Sequence, residues 1–472
     1  MTPSPTALDA LWQTIAQQLP PERRSRTLAT RWAYGMDNSR LHHAADIVAF
    51  PQSHEEVEYL VRAARDHKVP VTARGRGTGT AGGSVPLFGG LVIALDHMNQ
   101  ILEFRPEDRL IRVQAGLLNG DLQAAIRPAG FFWPPDPTSQ AICTIGGNAG
   151  CNAGGPHAVK YGTTRDHILG LKAVMGTGET LRTGTQTTKG VVGYDLTRLM
   201  IGSEGTLGII TELTLKLTPC PEGTRLLRAY YRDMHAAAAA VSRLMRLPVT
   251  PSAIEFIDGG ALSLMRQHQE NDPALQIPPT AGALLLIELD GAEVGLDAEL
   301  QSAQAAAEGD DSNFAPLDMR AARHEAEIRA LWAARKALSP TLRHVAPKKI
   351  NEDVVVPVSR MPALIARIDE IAHRHRIAIV NFGHAGNGNI HVNLLVNPDQ
   401  PDELAAAESA LSEVFETVLA LDGTLSGEHG IGAVKRDYVR AELDPIALSI
   451  MHGIKSVFDP DGIMNPNKKI PD

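Results

Sequence analysis

The stretch RGRGTGTAGGSVP, from Arg74 to Pro86, limits the fold more than any other part of the chain. Gly77, Gly79 and Gly82 satisfy G-x-G-x-x-G after VPVTARG, which reads as a short strand. A dinucleotide-binding turn needs a helix at this point, with its N-terminus facing a pyrophosphate. Gly82, Gly83 and Pro86 forbid a long helix, and the next element, GGLVIALD, reads as a strand. The glycines therefore lie in a loop between strands, and a Rossmann turn is excluded. Such a loop can still turn its N–H groups inward as an anion-binding nest, with Arg74 or Arg76 adding charge.

Two more glycine clusters follow. Residues 134–164, PPDPTSQAICTIGGNAGCNAGGPHAVKYGTT, carry Gly146, Gly147, Gly150, Gly154 and Gly155 with Asn148 and Asn152. Residues 201–212, IGSEGTLGIITE, add Gly202, Gly205 and Gly208. One glycine loop alone reads as flexible surface. Three within one region predict a backbone-lined slot for a large flat ligand bearing phosphates.

With 472 residues the chain exceeds a single core and predicts two or three domains. The expected class is α+β throughout. Residues 1–45 read as an N-terminal helical arm, 46–222 as the glycine-rich domain, 223–424 as a second α+β domain with an antiparallel sheet, and 425–472 as a C-terminal helical segment. Ser53 caps the predicted helix SHEEVEYLVRAARDHKV. AEVGLDAELQSAQAAAEGDD reads as a solvated helix and loop. A net charge of −9 argues against nucleic acid as the main partner. Cys143, Cys151 and Cys220 match no disulfide framework or zinc spacing, so a reducing compartment is expected. The N-terminus lacks a signal-peptide pattern and no apolar run reaches the ~20 residues of a membrane span, which predicts a cytoplasmic protein. Peripheral contact with the inner membrane face and a homodimer are compatible with this.

Another constellation centres on residues 381–395, NFGHAGNGNIHVNLL. A strand enters a Gly/Asn turn and a second strand leaves it. An antiparallel pair would bring His384 and His391 together at the turn end, with Asn393 on the same face as His391. Glu428 and His429 stand in a glycine-flanked loop, SGEHG. Two histidines and a carboxylate with an open position form a catalytic divalent-metal set. Taken alone, the stretch more often means two hydrogen-bonded turn histidines.

These motifs together resemble a known family. RGRGTGTAGG, PDPTS, IGGNAGCNAGG and SEGTLGIIT resemble the FAD-binding domain of the vanillyl-alcohol-oxidase or PCMH type. FGHAGNGNIHVN, SGEHGIG and FDPDGIMNPNK resemble the D-lactate, D-2-hydroxyglutarate and glycolate dehydrogenase branch. The likeness runs from Asp46 to Lys468. It implies that Arg74, Gly75, Arg76, Gly77, Thr78 and Gly79 hold the FAD pyrophosphate. Asp136, Thr138, Ser139, Gly146, Gly147, Asn148, Asn152 and Gly154 would line the ribityl and isoalloxazine path. Glu204, Gly205, Gly208 and Ile210 would close on the adenine side, and Asn465 would return to the flavin ring. Thr78 stands where covalent members often have histidine, which implies non-covalent FAD.

The same resemblance makes His384, His391 and Glu428 the ligands of a divalent metal, with zinc first and manganese or iron(II) open. His429 would be the catalytic base that takes the substrate hydroxyl proton. Arg335 would grip the substrate carboxylate, helped by Ser339 four residues on, by Lys349 and by Asn393. Relatives commonly have aspartate where this chain has Asn387, which removes a negative charge near the metal. The implied reaction is oxidation of a D-2-hydroxy acid to the 2-oxo acid by hydride transfer to flavin N5. D-lactate is the first expectation and D-2-hydroxyglutarate or glycolate the alternatives. A quinone, a cytochrome or an electron-transfer flavoprotein would accept the electrons. A metal hydrolase or a non-catalytic FAD-binding subunit are the competing classes; the first predicts a colourless protein, and the second has no use for His429 or a metal set.

Overall fold

The computed structural model describes residues 2–268 and 276–472, without the side chains of residues 268, 339–341 and 343–345. It divides into two units. The first comprises Met1–Gly154, Gly162–Cys220 and Glu428–Asp472, and the second Gly155–Tyr161 and Pro221–Gly427. Among the described residues no helix is long and apolar enough to cross a bilayer.

In the first unit, β1 (Arg24–Ser25), β2 (Ile47–Ala49), β3 (Val71–Arg74) and β4 (Leu91–Ala94) form a sheet in the order β1-β2-β4-β3. β4 runs parallel to β2 and to β3. The helix His54–Asp66 lies on the connection between β2 and β3. Ser53 caps this helix, its Oγ accepting from Glu56 N at 3.2 Å. Next come β5 (Ile101–Arg105), β6 (Leu110–Gln114), β7 (Phe131–Phe132), β8 (Ile168–Met175), β9 (Thr180–Gly184), β10 (Gly208–Lys216) and β11 (Thr218–Pro219). Five of them make an antiparallel sheet in the order β5-β6-β10-β8-β9, and β7 pairs with β11. The tail joins the first sheet. After the helix Pro445–Phe458, Met464 bridges Val71 in parallel, with Asn465 N to Val71 O at 2.7 Å.

Two expectations for this unit need correction. Residues 1–45 are not a purely helical arm. The helices Pro5–Ile15 and Leu28–Ala33 flank β1, which pairs with β2, and Leu11, Ile15 and Leu19 are buried in the unit's core. A two-residue strand is too short to show alternation in sequence. The second glycine cluster is also not wholly loop, since Ile145–Cys151 is a helix capped by Thr144. A Cβ at Gly146 would lie 2.6 Å from the Ala115 Cβ, so glycine lets this helix approach the end of β6.

The second unit is built on β12 (Gly223–Tyr231), β13 (Ala253–Asp258), β14 (Ala283–Gly291), β15 (Asp318–Ala322), β16 (Lys348–Val355), β17 (Ala378–His384) and β18 (Asn389–Val396). These form one sheet, β15-β12-β14-β13-β17-β18-β16, with every neighbouring pair antiparallel. One face packs Leu226, Ile257, Leu286 and Phe382 against the helices Gly259–His268 and Glu325–Val345, through residues such as Leu262 and Leu338. The helix Glu293–Glu308, expected to be solvated, buries Leu296, Leu300, Ala303 and Ala307. Half of that stripe is alanine, which gives weak apolar contrast in sequence. The segment Gly155–Tyr161, read as part of the glycine-rich domain, belongs to this unit. His157 Nε2 meets Glu288 Oε1 at 2.8 Å, and Lys160 Nζ meets Asp290 Oδ1 at 2.6 Å.

Candidate active site

The histidine pair sits in the β17–β18 hairpin. Both strands are almost fully buried, as their apolar runs require. Gly388 closes the turn at φ 70°, and a Cβ there would fall 1.9 Å from Val356 O. Phe382 faces His391 and His384 faces Asn389 across the ladder, so both imidazoles lie on one face. Their rings meet edge to face, centroids 5.1 Å apart, and their Nε2 atoms are 3.4 Å apart. Asn393 is fully buried on the same face. Its Nδ2 donates to Val380 O (3.2 Å) and His391 O (2.9 Å), while its Oδ1 has no partner among the described residues.

Two acids that sequence reasoning missed organise this face. Glu255 on β13 lies opposite His384 and is 1 % exposed. One carboxylate oxygen accepts from His384 Nδ1, and the other meets Arg335 Nη2 at 2.8 Å. Burial alone would raise the Glu255 pKa, but its interactions with His384 and Arg335 outweigh it and hold it below the ordinary value. Arg335 also stacks over the Phe382 ring at 4.6 Å, and its Nε is buried without a partner among the described residues. Asp353 on β16 pairs with His391 in the ladder. Its carboxylate accepts from Gly427 N (2.7 Å) and Ser426 Oγ (3.2 Å), which pins the SGEHG loop one peptide bond before Glu428. In sequence each acid was one charge inside a strand. Acids set inside the apolar strands AIEFID (Glu255, Asp258) and KINEDVVV (Glu352, Asp353) were the available signal.

The donors suit a divalent metal. Two imidazole nitrogens each bound at about 2.0–2.1 Å to one tetrahedral ion stand roughly 3.3–3.4 Å apart, and the observed spacing is 3.4 Å. With Nδ1–H given to Glu255, His384 keeps its Nε2 lone pair for a ligand, the usual carboxylate–histidine–metal arrangement. Glu428 and His429 open the last segment of the first unit. Within that unit the bare Cα of Gly154 makes room for the Glu428 carboxylate, since a Cβ there would lie 2.9 Å from Oε2. Asn387 is exposed at the turn tip. Lys349 faces Leu395 on β18, and in register lies on the same face as Asn393. The Ser339 side chain lies outside the described residues.

The first unit fits a dinucleotide in three ways. Among the described residues, none supplies an acceptor for the N–H groups of residues 76–80, which leaves the 74–79 loop open to an anion. A Cβ at Gly79 or at Gly150 would meet nothing within 4 Å. Asn148 is 3 % exposed, yet its Nδ2 has no oxygen or nitrogen acceptor among the described residues. Gly75, Gly77 and Thr78 lie within that loop, whereas Arg74 and Arg76 are engaged by the protein. Arg74 Nη1 donates to Met36 O at 2.6 Å, and Arg76 pairs with Asp96 at 2.7 Å. The backbone, not these cations, is what the loop offers an anion.

Other expected cofactor residues have structural partners. Asn152 adopts φ 52° and its Oδ1 accepts from Arg165 N at 3.0 Å. Gly208 and Ile210 lie in β10, where a Cβ at Gly208 would strike Val174 O at 2.6 Å. Ser139 O accepts from Cys143 N, Gly147 N is given to Thr144, and Thr138 is exposed near Asp136. Glu204 accepts from Ile431 N (2.9 Å) and Gly432 N (2.6 Å), next to Gly205 at φ 73°. Asn465 Nδ2 donates to Gly83 O and Glu204 O, which ties the tail to two glycine loops.

Comparison with known proteins agrees with both halves. A family model for the FAD binding domain matches residues 45–184, and one for the C-terminal domain of FAD linked oxidases matches residues 220–469. The fold is shared with p-cresol methylhydroxylase with substrate bound, with a TM-score of 0.80 at 17 % identity, covering 100 % of this chain and 98 % of that one. The chain therefore has the PCMH-type FAD-binding fold, and it belongs to the FAD-linked oxidases. Among its relatives is the glycolate oxidase subunit GlcD of Bacillus subtilis (strain 168), 37 % identical over 97 % of this chain and 96 % of the relative. The D-lactate dehydrogenase of Anaerostipes hadrus is 34 % identical over 90 % and 89 %. The D-2-hydroxyglutarate dehydrogenase of Stutzerimonas stutzeri (strain A1501) is 35 % identical over 92 % and 93 %. Within the family the chain is an FAD-dependent oxidoreductase of the 2-hydroxy acid dehydrogenase branch.

Proposed function

We propose that this protein oxidises a small D-2-hydroxy acid, D-lactate first, to the 2-oxo acid, with His384, His391 and Glu428 holding a divalent metal, zinc first. The observation that carries the reading is the 3.4 Å pair of Nε2 atoms backed by Glu255. Arg335 is the buried cation on that face and stands over Phe382, so a carboxylate can be held beside an apolar wall that suits a methyl group. Asn393 Oδ1, without a partner among the described residues, is an acceptor for a donor such as the substrate hydroxyl. His429 takes the hydroxyl proton, a transfer suited to an imidazole near neutral pH. FAD, when bound, supplies the hydride acceptor, and the metal, when bound, supplies Lewis acidity at the hydroxyl and carboxylate oxygens. The FAD is non-covalent, and the electrons leave to a quinone, a cytochrome or an electron-transfer flavoprotein.

D-2-hydroxyglutarate is the second reading, favoured by Lys349. Its register position on the Asn393 face offers a cation for a distal carboxylate. Single-turnover flavin reduction tests the proposal. His429→Ala and His384→Ala are expected to keep FAD and to lose reduction by substrate. A His384→Ala protein that reduces its flavin at the wild-type rate removes the metal assignment.

A further inference from the structure

Glu255 makes two bonds that the proposed reaction needs at once. One oxygen accepts from His384 Nδ1 and the other from Arg335 Nη2 at 2.8 Å. It is the residue directly opposite His384 on the neighbouring strand, so the sheet itself sets its reach. We infer that Glu255 is a positioning residue whose single carboxylate orients both a metal ligand and the substrate arginine. The inference rests on the proposed metal reading and deepens it.

The chemistry allows no neutral substitute. Both neighbours donate, and only a carboxylate accepts on both sides. Glutamine has one accepting oxygen. The charged guanidinium competes more strongly for it than a neutral imidazole N–H does. The amide NH2 then faces His384 Nδ1 and forces the proton onto Nε2. An Nε2 that carries a proton has no lone pair for a metal, although the imidazole has hardly moved. Metal affinity therefore depends on a residue that touches no metal.

The experiment compares wild type, Glu255→Gln and Glu288→Gln. Glu288 is a second buried acid of the same sheet, bonded to His157, Trp332 and Ser252, and it controls for the general loss of a buried carboxylate. Zinc per chain is measured by elemental analysis after dialysis against graded chelator, with FAD per chain and melting temperature measured on the same samples. Wild type and Glu288→Gln should hold zinc alike. Glu255→Gln should bind it about 10–100-fold more weakly with FAD content unchanged. In steady state its KM for the acid should also rise, because a neutral amide oxygen holds Arg335 less firmly than the carboxylate does. Equal zinc affinity in Glu255→Gln and wild type overturns the inference and leaves the metal reading intact. Wild type that holds no divalent metal overturns the metal reading itself. If Glu255→Gln does not fold, Glu255→Asp replaces it. Aspartate keeps the charge but is too short to reach both partners, so zinc should weaken there too, and wild-type affinity in that variant overturns the inference.

Discussion

Cys151 shares the glycine-rich helix with Asn148, and its chemistry bears on how FAD is held. Burial, helped by the Glu204 carboxylate, pushes its thiol up to about 12. A thiol that keeps its proton at neutral pH is a poor nucleophile toward a flavin ring or an alkylating agent. Iodoacetamide at pH 8 should leave Cys151 unlabelled in the native protein and label it in urea, as peptide mass mapping would read. Acid precipitation should release the flavin into the supernatant. Lys468 shows a different effect of burial. Its Nζ donates to Val85 O (2.6 Å) and Asn465 Oδ1 (3.0 Å), and burial lowers its pKa to about 8 although Asp37 and Glu204 work to raise it. Below about pH 8 both folded and unfolded states hold the proton, and the full penalty for a buried charge is present. Between there and the ordinary lysine value the unfolded chain holds more protons, so stability rises with pH, by about 3 kcal/mol across the window. Urea midpoints at pH 8 and pH 10 should show this rise in wild type, and Lys468→Met should lose it.

The hairpin of β17 and β18 was legible in sequence because its evidence is local. Strand residues on either side, a Gly/Asn turn and two histidines seven residues apart all fall within NFGHAGNGNIHVNLL. Glu255 was not legible, because it reaches His384 through a strand pairing across 129 positions that no spacing records. The helix Ile145–Cys151 was missed for another reason. Glycine is a poor helix former, and the close approach to Ala115 that outweighs this is a tertiary fact. The turn carries its own prediction. Gly388→Ala places a Cβ against Val356 O in a left-handed conformation, which should destabilise the second unit by about 2–4 kcal/mol. Denaturant unfolding would measure it, and a change below 0.5 kcal/mol would argue against the turn geometry.

Across the whole molecule the chain leaves the first unit at Cys220 and returns to it at Glu428. The family resemblance implies that the tail returns to the flavin through Asn465, but its bonds to Glu204 through Ile431, Gly432, Asn465 and Lys469 were not readable, because more than 200 positions separate them. A chain ending at Gly462 lacks the Met464 bridge to β3 and the bonds of Asn465 and Lys468. It should lose FAD while residues 221–427 stay protected in limited proteolysis read by mass spectrometry. Full FAD content in that chain would contradict the role given to the tail. The most direct test of the central claim is an anaerobic titration of the purified protein with D-lactate, D-2-hydroxyglutarate and glycolate, following the flavin band near about 450 nm. The account predicts that D-lactate bleaches the band most readily, that an artificial acceptor restores it, and that prior treatment with a chelator abolishes bleaching. A flavin that none of the three acids reduces, or one reduced equally well after the metal is stripped, would contradict it.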